Sequence, residues 1–223
     1  TTHSIGTYNY YCNISETENY LFAENSSIMN INKAESILSL TATPAWTNGY
    51  GTQTTVSCVA DHAEATPTLY LEGVPVSNPY TTTHPSGSYN YSCNISETSN
   101  HNSAEDSDIV NINKAIPVIT LTASPHWQIT HNAQATITCS VDNSQTTISL
   151  YRDDILVDSS LGGTVTDSDT FPSGNYVYIC NSSETQNYIS ASKTNTLVAG
   201  ERQGTTLTLT ASPAWTNDYG TQT

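Results

Sequence analysis

The residues of this chain best suited to chemistry are five cysteines, Cys12, Cys58, Cys93, Cys139 and Cys180. Thiols could bind zinc, act as nucleophiles or form disulfides. No Cys-x2-4-Cys spacing of a zinc site is present. Cys12 and Cys93 lie 81 positions apart, as do Cys58 and Cys139, while Cys93 and Cys180 lie 87 apart. Such recurrence suggests disulfides and an oxidising compartment, with Cys58 joined to Cys93 and Cys139 to Cys180 and the partner of Cys12 outside the chain. Buried free thiols are the alternative reading.

Other candidate chemistry is thinner. Asn13, Asn25, Asn90, Asn94 and Asn181 each begin an Asn-x-Ser sequon for N-glycosylation. Their number is what chance supplies in so Asn- and Ser-rich a chain, so position is the better argument. Acidic groupings at Glu105-Asp106-Ser107-Asp108, Asp153-Asp154 and Asp167-Ser168-Asp169 could offer hard oxygens to calcium, but none forms an EF-hand pattern or recurs between repeats. They read as solvated surface carboxylates. His3 and His84 are equivalent, yet Phe171 takes that place in the next copy, which argues against a metal ligand in every repeat. His62, His101, His126 and His131 stand in variable segments. Nucleophile-elbow, zinc-protease and phosphate-loop motifs are absent, so no catalytic residue, metal or cofactor is expected.

These residues belong to a repeat. Gly-x-Tyr-x-Tyr-x-Cys-Asn-x-Ser-Glu-Thr runs from Gly6, from Gly87 and from Gly174. In step with it, Leu40-Thr41-Ala42-Thr43-Pro44-Ala45-Trp46 recurs as Leu121–Trp127 and as Leu209–Trp215. A period of this length marks a small domain rather than one turn of a solenoid. Two complete units are expected at 34–115 and 116–199. Residues 1–33 match only the C-terminal part of a unit and 200–223 only the N-terminal part, as in a segment of a longer array. The rival reading, in which the tail of one molecule completes the head of another, would lack the strands corresponding to 55–81.

Alternation with period two dominates, so the chain reads as all-β. Leu38, Leu40 and Ala42 share one strand face, matched by Ile119, Leu121, Ala123 and by Leu207, Leu209, Ala211. Val56 and Cys58, or Ile137 and Cys139, fall inward on the next strand. Leu69 and Leu150 precede turns at Glu72-Gly73 and Asp153-Asp154, and Val110 and Ile112 mark the last strand, echoed by Met29 and Ile31. Short strands broken by Gly, Pro, Asn and Asp indicate a two-sheet sandwich. Tyr89, Tyr91 and Cys93 then point inward, and Asn94 outward.

On the paired cysteines Cys58 with Cys93 and Cys139 with Cys180, and on Tyr91 and Tyr178 two residues before the second Cys, the chain resembles tandem immunoglobulin-like domains of the kind found along archaeal and bacterial surface proteins. The resemblance implies β-sandwiches with inter-sheet disulfides and a tyrosine corner at Tyr91 and Tyr178. The third strand lacks the Trp of antibody-type domains. Trp46 and Trp127 lie earlier, while Tyr70 and Tyr151 follow the first Cys by twelve residues.

Charge narrows the function. Twenty acidic residues against five Lys plus Arg cannot replace counterions on a nucleic acid or hold an anionic membrane, and no apolar stretch is long enough to insert. The expected role is a repeat segment of an extracellular, cell-surface fibre, filament, stalk or surface layer that associates with copies of itself. Residues 111–117 support stiffness, since they join the units without a Gly-Ser linker. The alternatives are an adhesin that holds a glycan or a cell-surface protein, with Tyr50, Tyr80 and Tyr219 available for sugar stacking, or a non-catalytic spacer of a larger secreted protein.

Overall fold

A computed structural model describes residues 3–201 and 204–210. The chain divides into two compact units, Thr1–Ala115 with Gln186–Ile189, and Ile116–Thr185 with Ser190–Thr223. No helix occurs among the described residues.

The first unit holds ten strands: β1 Gly6–Ile14, β2 Ala23–Ile31, β3 Leu38–Thr43, β4 Thr47–Gly49, β5 Thr54–Ala60, β6 Thr68–Leu71, β7 Val74–Val76, β8 Tyr80–Thr82, β9 Gly87–Ile95 and β10 Ala104–Asn113. β1 and β2 form an antiparallel two-stranded sheet of their own. The other eight make a sandwich, with a three-stranded sheet β3-β5-β8 and a five-stranded sheet β4-β10-β9-β6-β7. In the second unit β11 Ile119–Ser124, β12 Gln128–Ile129, β13 Ala133–Val141, β14 Thr147–Arg152, β15 Ile155–Leu161, β16 Thr164–Phe171, β17 Gly174–Ser182 and β18 Ala191–Ala199 repeat that sandwich. Its sheets are β11-β13-β16 and β12-β18-β17-β14-β15.

Alternating apolar residues dictate these layers. Val56 and Cys58 of β5 face Leu69 of β6, Tyr91 and Cys93 of β9, and Val110 and Ile112 of β10, all buried, with Leu38, Leu40, Ala42 and Trp46 packed at the margin. The second core repeats them as Ile137, Cys139, Leu150, Tyr178, Cys180 and Leu197, and adds Val165, Phe171 and Ile148. A disulfide ties the sheets in each sandwich: Cys58 on β5 to Cys93 on β9, and Cys139 on β13 to Cys180 on β17. Two packed sheets, this strand order and an inter-sheet disulfide between the third and penultimate strands make each an immunoglobulin-like β-sandwich. In both, the strand after Trp46 or Trp127 crosses to the five-stranded sheet and runs parallel to the last strand, β4 beside β10 and β12 beside β18.

The expected turns have a physical basis. Glu72-Gly73 and Asp153-Asp154 are two-residue loops with positive φ throughout (49° and 77°, 50° and 64°), the conformation that matches strand twist in tight hairpins. The acidic side chain holds the strained turn to the neighbouring strand. Glu72 Oε1 accepts from the Asn90 N–H at 2.6 Å, and Asp153 Oδ1 from the Val177 N–H at 2.8 Å. The longer Cys93 to Cys180 interval comes from extra residues around Gly162-Gly163, where the chain passes between sheets. At Gly162 φ is 64°, and a Cβ would meet Ser144 Cα at 2.8 Å.

One strand expectation is corrected. Leu207 and Leu209 lie in a segment with no strand, and both are exposed. The same sequence is a strand in β3 and β11 because β5 and β13 pair with it, and no strand pairs with residues 204–210. Ala211 and Trp215 lie outside the described residues.

Candidate functional site

Buried tyrosines near the disulfides are the most elaborately supported polar groups. Tyr91 and Tyr178 are wholly buried, and each hydroxyl needs a partner to offset lost hydration. In the first sandwich the Tyr91 hydroxyl lies 2.9 Å from His84 Nε2, and His84 stacks on Tyr89 with ring centroids 3.9 Å apart. Burial pushes the Tyr91 hydroxyl up to about 12, helped by neighbouring Tyr80, and holds His84 below its usual range. In the second sandwich Tyr178 donates to Asp167 Oδ2 at 2.6 Å. Arg152 Nη1 lies 3.1 Å from Asp167 and 3.2 Å from Asp169, and its guanidinium stands over the Phe171 ring at 5.6 Å. Burial, then the hydrogen bond to Asp167, pushes the Tyr178 hydroxyl upward.

Two expectations are corrected here. Asp167 is a buried partner of Tyr178 and Arg152, not a solvated surface carboxylate. The tyrosine corner belongs to a different tyrosine: Tyr89 donates to Pro85 O at 3.0 Å, Tyr176 to Pro172 O at 3.0 Å, and Tyr8 to Ser4 O at 2.8 Å. These residues precede the Cys by four. Tyr91 and Tyr178 sit too deep to reach upstream backbone and bond to side chains instead.

A second polar cluster lies at one end of the first sandwich, and sequence reading missed it. His62 and His101 stack at 3.8 Å with rings 14° apart. Ser36 donates its hydroxyl proton to Asn102 O, so at 2.9 Å it accepts from His62 Nε2. That fixes His62 as the Nε2–H tautomer, with Nδ1 free to accept from the Glu64 N–H at 3.3 Å. Glu64 accepts from Asn100 Nδ2 at 2.9 Å and Thr98 Oγ1 at 2.7 Å, and its Oε2 faces His101 Nδ1 at 3.3 Å without hydrogen-bond alignment. The Asn100 and Thr98 bonds hold the Glu64 carboxyl down at about 2. These contacts clamp the β9–β10 loop, whose Asn100 O and Asn102 N–H also bond Ala34. At the corresponding places in the second sandwich Asn143 accepts from the backbone of Gln145 and Thr146. Among the described residues no three His, Cys, Asp or Glu side chains converge to hold a metal ion.

The sequon residues fall on outer surfaces. Asn13, Asn25, Asn90 and Asn94 are exposed, and Asn181 is half-buried. Asn90 and Asn94 share the outer face of β9 and line a shallow polar groove of about 430 Å³ with Ser92, Glu105, Asp106 and Ser107. The tyrosines considered for sugar stacking are otherwise engaged. Tyr50 packs edge-on against Tyr188 at 5.5 Å, Tyr80 joins the margin of the first core, and Tyr219 lies outside the described residues.

No protein-family model and no curated protein matches the chain. It is similar to solved tandem modules. The fibronectin(III)-like modules of Clostridium thermocellum CbhA are 15% identical, with 74% of this chain and 95% of that one covered and a TM-score of 0.31. A chimeric titin Z1Z2-Z1Z2 tandem functionalised with a fibronectin-derived peptide is 14% identical over 76% and 97%, at 0.33. The central fibronectin-III array of RIM-binding protein is 13% identical over 74% and 68%, at 0.30. The immunoglobulin-like fold rests on the chain's own strand order, cores and disulfides.

Proposed function

We propose that this chain is a structural repeat segment of an extracellular, cell-surface assembly, a fibre, stalk or layer built by association of such arrays. One observation carries the reading. What recurs between the sandwiches is core, disulfide and turn, whereas the polar clusters at His62 and Arg152 each occur in one sandwich, and the His84 arrangement, shared with His3 and Tyr10 of the β1–β2 hairpin, is replaced in the second sandwich. A repeated catalytic or ligand-binding function would preserve its polar groups and let the packing drift. Disulfides fit an oxidising compartment, and the net charge of −15 favours solubility of the unassembled chain.

The strand edges support the self-association reading. β7 is a three-residue edge strand carrying Pro75, a blunted edge. β15 is a seven-residue edge on which Ile155, Leu156 and Leu161 are exposed, open to pairing with a strand of another copy. Electron microscopy of native material tests the reading: ordered filaments or layers are expected, and dispersed monomers at high concentration would overturn it. Glycosylation of the exposed sequons belongs to the same proposal. A fall in intact mass on deglycosylation is expected, and an unchanged mass removes that part.

A further inference from the structure

We propose that the β1–β2 hairpin is a docking surface for the N-terminal half of an immunoglobulin-like repeat, a polypeptide of the 34–81 kind, and that Cys12 is the disulfide site that fixes it. The docking face comprises Tyr8, Tyr10, Cys12, Ile14, Met29 and Ile31.

The hairpin reproduces β9–β10 rung for rung. Gly6 pairs with Ile31, Tyr8 with Met29 and Cys12 with Asn25, as Gly87 pairs with Ile112, Tyr89 with Val110 and Cys93 with Asp106. Its local polar geometry is also the same: Tyr8 donates to Ser4 O, and the Tyr10 hydroxyl bonds His3 Nε2, as Tyr89 donates to Pro85 O and Tyr91 bonds His84. What differs is the cover. Tyr10 is 47% exposed where Tyr91 is 0%, and Ile14 is 60% exposed where Ile95 is 2%. Cys12 is a free, exposed thiol where Cys93 and Cys180 are both bonded.

The two complete sandwiches identify the occupant. In the first, the inner face of β9–β10 is covered by Leu38, Leu40, Val56 and Cys58 of β3 and β5. In the second, Leu121, Ile137 and Cys139 do the same. A hairpin of this kind has little stability alone, and an apolar face with an unpaired thiol gains both burial and a cross-link from that cover. Forming the bond removes one proton from each thiol and two electrons from the pair. A small-molecule disulfide accepts them and is reduced to two thiols.

Thr1-Thr2-His3 repeats Thr82-Thr83-His84, so a copy of residues 34–81 joined ahead of Thr1 in the full chain would place its Cys 35 residues before Cys12, as Cys58 precedes Cys93. Purified under a glutathione redox buffer, the chain as it stands should label once with maleimide at Cys12, and the extended chain not at all. The extended chain should yield the Cys12-linked peptide on non-reducing digestion and slow amide exchange in β1 by at least about tenfold. Cys58→Ser within the added copy should restore labelling while β1 stays slowed. Leu38→Asp with Val56→Asp within that copy should leave β1 exchanging fast. Persistent labelling of the extended chain, a Cys12–Cys12 dimer, or unchanged exchange in β1, including through failure of the added segment to fold, would overturn the proposal. It rests on the repeat reading alone, so absence of filaments by microscopy would leave this result standing.

Discussion

The two sandwiches solve the same packing problem with different chemistry. In the second, β16 pairs along its whole length with β13, and Val165 stands opposite Cys139. In the first, Pro79 has no N–H to give a ladder, and the equivalent strand shrinks to Tyr80–Thr82. The Asn78 side chain supplies the missing rung: its amide donates to Cys58 O at 2.7 Å and accepts from Cys58 N–H at 3.0 Å. Around the buried tyrosine, Leu71, Tyr80 and His84 stand where the second sandwich has Arg152, Asp167 and Phe171. The fold thus demands that the tyrosine hydroxyl and the Cys backbone be satisfied, and is indifferent to how. The second solution sets an ion pair beside the tyrosine, where the first has Leu71 and His84.

Removing the disulfide that the sandwiches share should have the largest effect. Cys58→Ala with Cys93→Ala, and Cys139→Ala with Cys180→Ala, should each cost about 4 kcal/mol by loop-closure entropy. Separations of 35 and 41 residues predict nearly equal losses, so unequal ones, read by amide exchange in β5 and β13, would expose a difference in the cores. Next comes Asp167→Ala, which strands Arg152 and the Tyr178 hydroxyl. A loss of about 3 kcal/mol in the second sandwich is expected, at the low end for a buried pair because Arg152 is partly exposed. Asn78→Ala should cost the first sandwich about 2 kcal/mol by orphaning both polar groups of Cys58, with faster exchange at that amide as the local signature. Tyr178→Phe should lose about 1.5 kcal/mol and Tyr91→Phe about 1, since only the first removes a bond to a charged acceptor.

The subtlest difference is in pH. Burial keeps the folded His84 value below that of the unfolded chain, so charging it opposes folding. Its contribution is fully present above about pH 6.5 and is lost as pH falls through the folded value. His84→Phe, which installs the residue of the second sandwich, should flatten the fall in denaturation midpoint of the first sandwich below about pH 6.5. An unchanged slope would show that His84 is not the titrating group.

Much of this architecture was legible in the residue pattern because alternation and spacing are local. The inward row Leu38, Leu40, Ala42, the turns at Glu72-Gly73 and Asp153-Asp154, and the cysteine pairs all follow from period two and recurrence. The tyrosine corner was misplaced because Tyr89 and Tyr91 share a face, and alternation does not say which of them reaches upstream backbone. Arg152 with Asp167, and His62 with Glu64 and His101, were invisible for a different reason. Arg152 and Asp167 come from different strands and His101 from a loop far from His62 and Glu64, and nothing in their spacing marks the juxtaposition. Strand character at Leu207 and Leu209 failed because β-structure is a property of pairs, and pattern alone supplies no partner.

The parallel contact between the strand after the Trp and the last strand has a mechanical consequence. Tension on a sandwich pulls the start of β4 backward and the end of β10 forward. Because the two strands run the same way, their hydrogen bonds are sheared together rather than opened one at a time. Three residue pairs join them in the first sandwich, Thr47 with Asn111, Asn48 with Ile112 and Gly49 with Asn113, while two join β12 and β18 in the second. Forced unfolding is governed by the rate of crossing such a barrier rather than by equilibrium stability. The sandwich with the smaller core thus has the longer shear patch, so resistance to heat and resistance to pulling need not rank the two in the same order.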